Sequence, residues 1–351
     1  MKALILSGGH GTRLRPITHS QQEQLIPVAN KPILFDPIED MIEAGAKEIS
    51  IIPGPNKEQV IETVSLAQWD ANIEFIYQGE PKGLAHTILV AEEFLGDEKF
   101  IMYPGDNIIK GGITQHAQKF KSLDPDALVL LTEVDDPQRF GVAEFDEQGR
   151  VKRAGGETTD SPSTFAMAGI CFFKPTIIEA CKRIKPSWRN ELEIIDAIQW
   201  LIDSGRRVES SSVEGWWKDT GKAEDILEAN QLILDDMKPN NDEQLLDSKI
   251  YVRAVIGQCS VIKNSTVKGP CIIGRNCKIS GTYIGPYTSI NDECIIESTE
   301  IEDSIIMSGS SIHNAGRIIE SLMEKNIRIQ GNEPKPQGNK FVVGDNSEIV
   351  L

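Results

Sequence analysis

Apolar residues fall in short, nearly unbroken blocks over the first two-thirds of the chain and at fixed intervals over the last third. The blocks Ala3–Leu6, Ile49–Ile52, Ile73–Tyr77, Phe100–Tyr103 and Ala127–Glu133 read as strands. Blocks of this kind suit strands covered on both faces of a parallel sheet. The stretches Pro37–Glu43, Asn56–Val64, Gly83–Phe94 and Ile113–Lys121 read as intervening helices. Strand and helix in alternation predict a Rossmann-like, doubly wound α/β fold with a mainly parallel sheet. Arg139–Phe145, a turn at Asp146–Gly149, and Val151–Arg153 read as a hairpin beside that sheet.

Beyond about residue 240 the pattern changes. Val255, Val261, Val267, Ile273 and Ile279 are six apart, and Ile284 and Ile290 resume the interval after a step of five. Four places on, small residues recur at Cys259, Ser265, Cys271, Cys277, Thr288 and Cys294. This is a hexapeptide repeat, and it predicts a parallel β-helix whose coils stack on one aliphatic ladder. The coils are expected to end near Ile312, with Ala315–Lys325 as an amphipathic capping helix. A strand-like tail, Lys340–Val343 and Glu348–Leu351, would follow the turn-rich link Gly331–Asn339. The expected domains are therefore 1–240 and 241–351.

Composition narrows the partners. A net charge of −17 over 351 residues argues against nucleic acid or an anionic membrane. No apolar run approaches the ~20 residues of a membrane span. Met1-Lys2 leads directly into the first strand without a signal-peptide pattern. All six cysteines lie between Cys171 and Cys294, and none forms a C-x-x-C pair. A cytoplasmic protein with reduced thiols is expected, most of them small fillers of the coil ladder.

Candidate chemistry lies in loops after the strands, since ligands of such sheets sit at strand carboxyl ends. The first is Ser7-Gly8-Gly9-His10-Gly11-Thr12-Arg13-Leu14-Arg15-Pro16. Glycines there leave backbone N–H groups open to an anion, and arginines follow at once. The loop reads as a triphosphate cradle, or as a plain turn with solvated arginines. It is neither a Walker A motif nor the dinucleotide fingerprint. After the third strand, Gln78 and Gly83 offer a base edge and a flat backbone, or a plain polar turn. Asp106, in Gly105-Asp106-Asn107, and Asp219, in Trp217-Lys218-Asp219-Thr220-Gly221, are candidate magnesium ligands, or turn residues. Gly169 and the carboxylates of Asn190–Ile194 suit sugar hydroxyls, or a helix cap.

In this order, Gly8-Gly9-x-Gly11-Thr12-Arg13-Leu14-x-Pro16, Lys31-Pro32, Gly83-Leu84-Ala85, Gly105-Asp106-Asn107, Arg139-Phe140-Gly141-Val142, Glu191-Leu192-Glu193-Ile194 and Trp217-x-Asp219-Thr220-Gly221 resemble the sugar-phosphate nucleotidylyltransferases. The likeness is strongest to the long-form glucose-1-phosphate thymidylyltransferases of the dTDP-rhamnose pathway, and covers the whole chain. It implies transfer of dTMP from dTTP to glucose 1-phosphate with Mg²⁺, and release of dTDP-glucose and pyrophosphate. It places Leu6, Gly8, Gly9, Gly11, Thr12, Arg13, Gln24, Gln78 and Gly83 on the nucleotide. It places Asp106, Gly141, Gly156, Glu157, Gly169 and Glu193 on the sugar phosphate, and the metal on Asp106 and Asp219. Arg13 and Asp106 would be catalytic. The resemblance also implies a left-handed β-helix serving as an oligomerisation or regulatory module, and hence a homo-oligomer. His313 is the sole histidine there, with no acetyl-CoA signature around it.

Two positions depart from the family pattern on the chemistry itself. Glu23 and Glu157 stand where the family carries lysines that meet the triphosphate and the sugar phosphate. At ~4 Å and an effective dielectric near 20, each contact is about 4 kcal/mol before screening. Reversing two charges therefore predicts slowed turnover, with Arg15, Lys31, Lys152 and Arg153 as possible compensators. Pro53, Pro104, Asp36 and the loose Ala154-Gly155-Gly156 read as further disturbance. A non-catalytic sugar-nucleotide-binding or regulatory subunit is the alternative, and a pure scaffold on the β-helix is a third.

Overall fold

The computed structural model describes residues 1–9, 11–134, 140–145, 151–155, 164–238, 245–246, 249–251 and 253–331. Two compact units are present, Met1–Ile233 and Leu234–Leu351.

In the first unit the strand Lys2–Ser7 is central. It runs parallel to Glu48–Pro53 on one side and to Phe100–Pro104 on the other. Asn72–Phe75 extends the parallel edge beyond Glu48–Pro53. On the other side the long strand Phe165–Phe173 enters antiparallel to both Phe100–Pro104 and Ala127–Glu133, and Val208–Ser212 runs parallel to the latter. The hairpin Val142–Phe145 and Val151–Gly155 joins through a single pair, Ala166 with Val142.

The unbroken apolar run of the first strand serves two cores. Leu4 and Leu6 face the helices Leu84–Val90, Thr176–Arg183 and Ile194–Asp203, through Ala85, Ile88, Ile177, Ile198 and Leu201. Ala3 and Ile5 face Phe35–Glu43, Lys57–Leu66 and Thr114–Leu123, through Ile38, Met41, Val60 and Phe120. Side chains alternate across a strand, so one run of apolar residues covers both faces only when helices lie on both.

The prolines at the strand ends are not defects. Pro53 and Pro104 pair with Ser7 and Leu6 at the last register positions. The following glycines supply the missing donors: Gly54 N–H donates to Ser7 O at 2.9 Å and Gly105 N–H to Leu6 O at 2.7 Å. Asp36 does not disturb its helix either, since its carboxylate lies 2.6 Å from Lys31 Nζ.

The second unit is a stack of short parallel strands. Lys249, Thr266, Tyr283, Glu300 and Arg317 succeed one another at one register position, 17 residues per coil. The inward ladder is Ile256, Ile262, Val267, Ile273, Ile279, Ile284, Ile290, Ile296, Ile301, Ile306 and Ile312, all at most 5% exposed. Its first members are thus Ile256 and Ile262, while Val255 and Val261 are only half-buried. The steps run six, five and six, except that Ile301 to Ile306 is five, where one coil is a residue shorter. Cys271, Cys277, Thr288 and Cys294 are buried as expected, whereas Cys259 is exposed at a corner with positive φ.

Ala315–Lys325 is not a capping helix. Ser311–Ile319, Leu322–Met323 and Arg328–Gln330 continue the coils, pairing Ile312 with Ile329 and Ile306 with Met323. Hydrogen bonds from the preceding coil, such as Ile305 N–H to Ser321 O at 2.8 Å, hold the segment extended where its apolar spacing alone also suits a helix. The tail strands proposed at Lys340–Val343 and Glu348–Leu351 lie outside the described residues. Among the described residues no helix is long and apolar enough to cross a membrane.

Candidate active site

The site is built on the carboxyl ends of Lys2–Ser7 and Phe100–Pro104, which are adjacent in register. Neither strand carries both aspartates. They meet through a separate two-stranded ribbon, in which Trp217–Asp219 pairs antiparallel with Asn107–Ile109 and Asp219 stands opposite Asn107. Thr220 locks the ribbon to the sheet. Its N–H donates to Asp106 O at 3.0 Å, and its hydroxyl donates to the same oxygen at 2.7 Å. Asn107 donates through Nδ2 to Asp106 Oδ1 at 2.9 Å and accepts from Trp217 Nε1 at 2.7 Å. Trp217 also packs edge-on against Phe140 at 5.1 Å, so this tryptophan is a structural brace.

Glycine loop and aspartates share one electrostatic environment. Arg13 folds over the Thr220–Gly221 turn, where a Cβ on Gly221 would collide with its guanidinium. Burial pushes Asp106 up to about 6, helped by Glu23 and opposed by Asn107 and Arg13. Burial likewise pushes Asp219 up to about 6, helped by Asp106 and opposed by Arg13. Glu23 is raised by burial, with Arg13 and Gln24 opposing. Three carboxylates and one guanidinium therefore lie within electrostatic reach of one another, with too little positive charge among them.

That imbalance suits a divalent cation. Among the described residues no cluster of three or more His, Cys, Asp or Glu side chains forms a complete metal site. Magnesium does not require one, since it commonly takes one or two carboxylates and fills its shell with phosphate oxygens and water. Asp106 and Asp219 fit that donor set.

Glu23 occupies the mouth of the cradle. A Cβ on Gly9 would collide with Glu23 Oε1, and one on Gly11 would stand 3.0 Å from Oε2. Gln24 Nε2 donates to Oε1 at 2.9 Å and holds the carboxylate there. Two of the supposed compensators are already engaged: Lys31 by Asp36 and Glu39, and Arg153 by Glu144 at 3.4 Å. Arg15 and Lys152 are exposed.

Gln22 and Thr18 carry weight that sequence reading missed. Gln22, buried, donates through Nε2 to Gly9 O at 2.9 Å and to Gln24 Oε1 at 2.8 Å. Thr18 donates to Gly11 O at 2.6 Å. Together they fix the glycine loop from beneath. The run Gln21-Gln22-Glu23-Gln24 leading into the apolar Leu25-Ile26 was the available signal, because buried amides must bond to something specific.

The remaining candidates fall in two places. Gln78 lies over Gly8, with its Oε1 3.4 Å from where a Gly8 Cβ would stand. Gly83 has φ +94°, and a Cβ on it would stand 2.5 Å from Leu192 O, so packing against Leu192 itself demands glycine. Leu6 contributes its carbonyl to Gly105, while Thr12, exposed, begins a short turn over Thr12–Leu14 that buries Leu14. A second cleft is lined by Gly141, Ser187, Trp188, Arg189, Glu193 and Ile195, where Glu193 accepts from Ser187 Oγ at 3.0 Å. Gly169 sits in the register shift of Phe165–Phe173, against Pro104. His10, Arg139, the turn Asp146–Gly149, Gly156 and Glu157 lie outside the described residues.

Raised carboxylates set a pH signature. The folded state binds protons that the unfolded chain releases, so stability falls as pH rises from about 4 through about 6 and is regained on acidification. Without divalent cation, Tm is expected to rise as pH is lowered from about 7 to about 5. Asp106→Asn should flatten that slope, leaving the parts due to Asp219 and to Asp40, which burial pushes up to about 7 against its hydrogen bond from Tyr103. An unchanged slope in the variant would show that Asp106 is not strained by its surroundings.

Comparison with known proteins adds the following. A family model described as nucleotidyl transferase matches residues 2–236. A glucose-1-phosphate thymidylyltransferase of Streptomyces antibioticus is 43% identical over 354 residues, covering 100% of this chain and 99% of that protein. The low-salt glycan biosynthesis nucleotidyltransferase Agl11 of Haloferax volcanii is 42% identical over 359 residues, covering 100% of both. A crystal structure of a UDP-glucose pyrophosphorylase complexed with UDP-glucose superposes with a TM-score of 0.60 at 25% identity, covering 67% of this chain and 99% of that one.

Proposed function

This chain belongs to the nucleotidyl transferase family, and from that premise we propose that it transfers dTMP from dTTP to glucose 1-phosphate, giving dTDP-glucose and pyrophosphate for nucleotide-sugar synthesis of the dTDP-rhamnose kind. One observation carries the reading: Thr220 and the Asn107–Ile109 ribbon bring Asp219 to Asp106, beside Arg13 and the glycine loop. Full-length relatives with that activity support it.

In this reading the Gly8–Gly11 backbone and Arg13 hold the triphosphate. Glu193 and Gly141 seat the sugar, joined by Gly156, Glu157 and Gly169. A phosphate oxygen of glucose 1-phosphate attacks the α-phosphorus in line, and the bond to the β-phosphate oxygen breaks as pyrophosphate leaves. Such a transfer needs alignment and charge neutralisation more than covalent help. Asp106 and Asp219 would hold Mg²⁺, which when bound neutralises charge on the phosphates.

Glu23 supports a second reading, a sugar-nucleotide-binding subunit with little turnover, because its carboxylate stands against Gly9 and Gly11. One assay separates the two. Pyrophosphate release that requires dTTP, glucose 1-phosphate and Mg²⁺ together supports the enzyme. Tight dTDP-glucose binding with no release supports the subunit.

A further inference from the structure

The base-reading position has a feature that the proposed function does not use. Gln78 follows the strand Asn72–Phe75 and reaches back toward Gly8. Its Nε2 lies 3.1 Å from His86 Nδ1 and 3.4 Å from Gly83 O. A backbone carbonyl only accepts hydrogen bonds, so the group facing Gly83 must be the NH₂ end of the amide. The same NH₂ then donates to His86, which requires Nδ1 to be the bare nitrogen and Nε2 to carry the hydrogen. Burial and the nearby Lys82 hold His86 below the ordinary histidine range, which favours the neutral ring. With both amide hydrogens directed at His86 and Gly83, the oxygen is turned toward Gly8 and the nucleotide loop.

We propose that His86 is a positioning residue that fixes the amide of Gln78 with its oxygen toward the base, so that the site selects a pyrimidine bearing an N3–H donor over one whose N3 is an acceptor. The inference rests on the proposed nucleotide site. Thymine and uracil present the donor. Cytosine presents a lone pair, which would face the lone pairs of Oε1. A flipped amide would serve cytosine, but it would set Oε1 against the Gly83 carbonyl, which can only accept, and would require His86 to move its hydrogen to Nδ1. Removing His86 leaves the amide held by the longer bond to Gly83 O alone, at 3.4 Å, and free to swing from its place.

The test is equilibrium binding of dTTP and dCTP with Mg²⁺, measured by titration calorimetry on the full chain, because it needs no turnover. The wild type is expected to prefer dTTP. His86→Leu should shrink that preference about tenfold or more, the scale of one lost base-edge contact. His86→Asn, whose Oδ1 takes the place of Nδ1, should keep it within about threefold. If the Leu variant does not fold, His86→Ala replaces it with the same expectation. A preference unchanged in the Leu variant, or lost equally in Leu and Asn, overturns the role of His86. A wild type that binds both triphosphates equally overturns the base selection while leaving nucleotidyl transfer intact. A wild type that binds neither overturns the proposed function itself.

Discussion

Pyrophosphate release is expected to fall about a thousandfold in Asp106→Asn, with the fold intact. The magnitude is that of removing a preorganised charge from a phosphoryl-transfer site, about 3–4 kcal/mol of barrier. The fold should survive because Asp106 is tied to the ribbon by its backbone: Thr220 donates twice to the carbonyl oxygen and not to the carboxylate. The amide oxygen of Asn can still accept from Asn107 Nδ2, as Oδ1 does now. Asp219→Asn should behave alike, since burial and the neighbouring Asp106 raise its affinity for protons and place the two carboxylates in one site. A variant with unaltered Tm, unaltered Mg²⁺ requirement and more than about a tenth of the wild-type rate would remove the aspartates from the chemistry.

The second large effect is a gain. Glu23→Lys is expected to raise kcat/KM for dTTP about a hundredfold. An anion against the glycine loop repels the triphosphate, and a cation there attracts it. At an effective dielectric near 20 the swing exceeds the ~3 kcal/mol that a hundredfold requires, even after screening of this largely buried group. The change also relieves Asp106, because Glu23 is the charged neighbour that most raises it. Steady-state kinetics of the two proteins side by side decides the matter. An equal or lower kcat/KM in the Lys variant would mean that Glu23 is part of a working site and that the charge argument fails.

The sheet and the coils were legible because burial on two faces leaves a mark in sequence. Ala3–Leu6 has no polar residue since both of its faces are covered, and the isoleucine ladder has a period because each coil repeats one geometry. Phe165–Phe173 was harder to place, being an antiparallel insertion with a glycine at its register shift. The false capping helix arose where Ala315, Ile318 and Ile319 are spaced equally well for a helix and for a coil.

In the site, residues bearing charge or glycine were readable, and those that merely hold them were not. Asp106, Asp219 and the glycine loop stand out by type. Gln22, Thr18, Asn107 and His86 each act through a hydrogen bond to a partner 7 to 110 residues away. Nothing local in a sequence encodes such partners. Lys31 shows the converse: it looked available for phosphate until Asp36 and Glu39 were found on either side of it.

The most direct test is a crystal structure of the chain with dTTP and magnesium bound. The account predicts one metal ion touching the carboxylates of both Asp106 and Asp219, with the triphosphate along Gly8–Arg13. A nucleotide bound elsewhere, or a metal that reaches only one of the two aspartates, would contradict it.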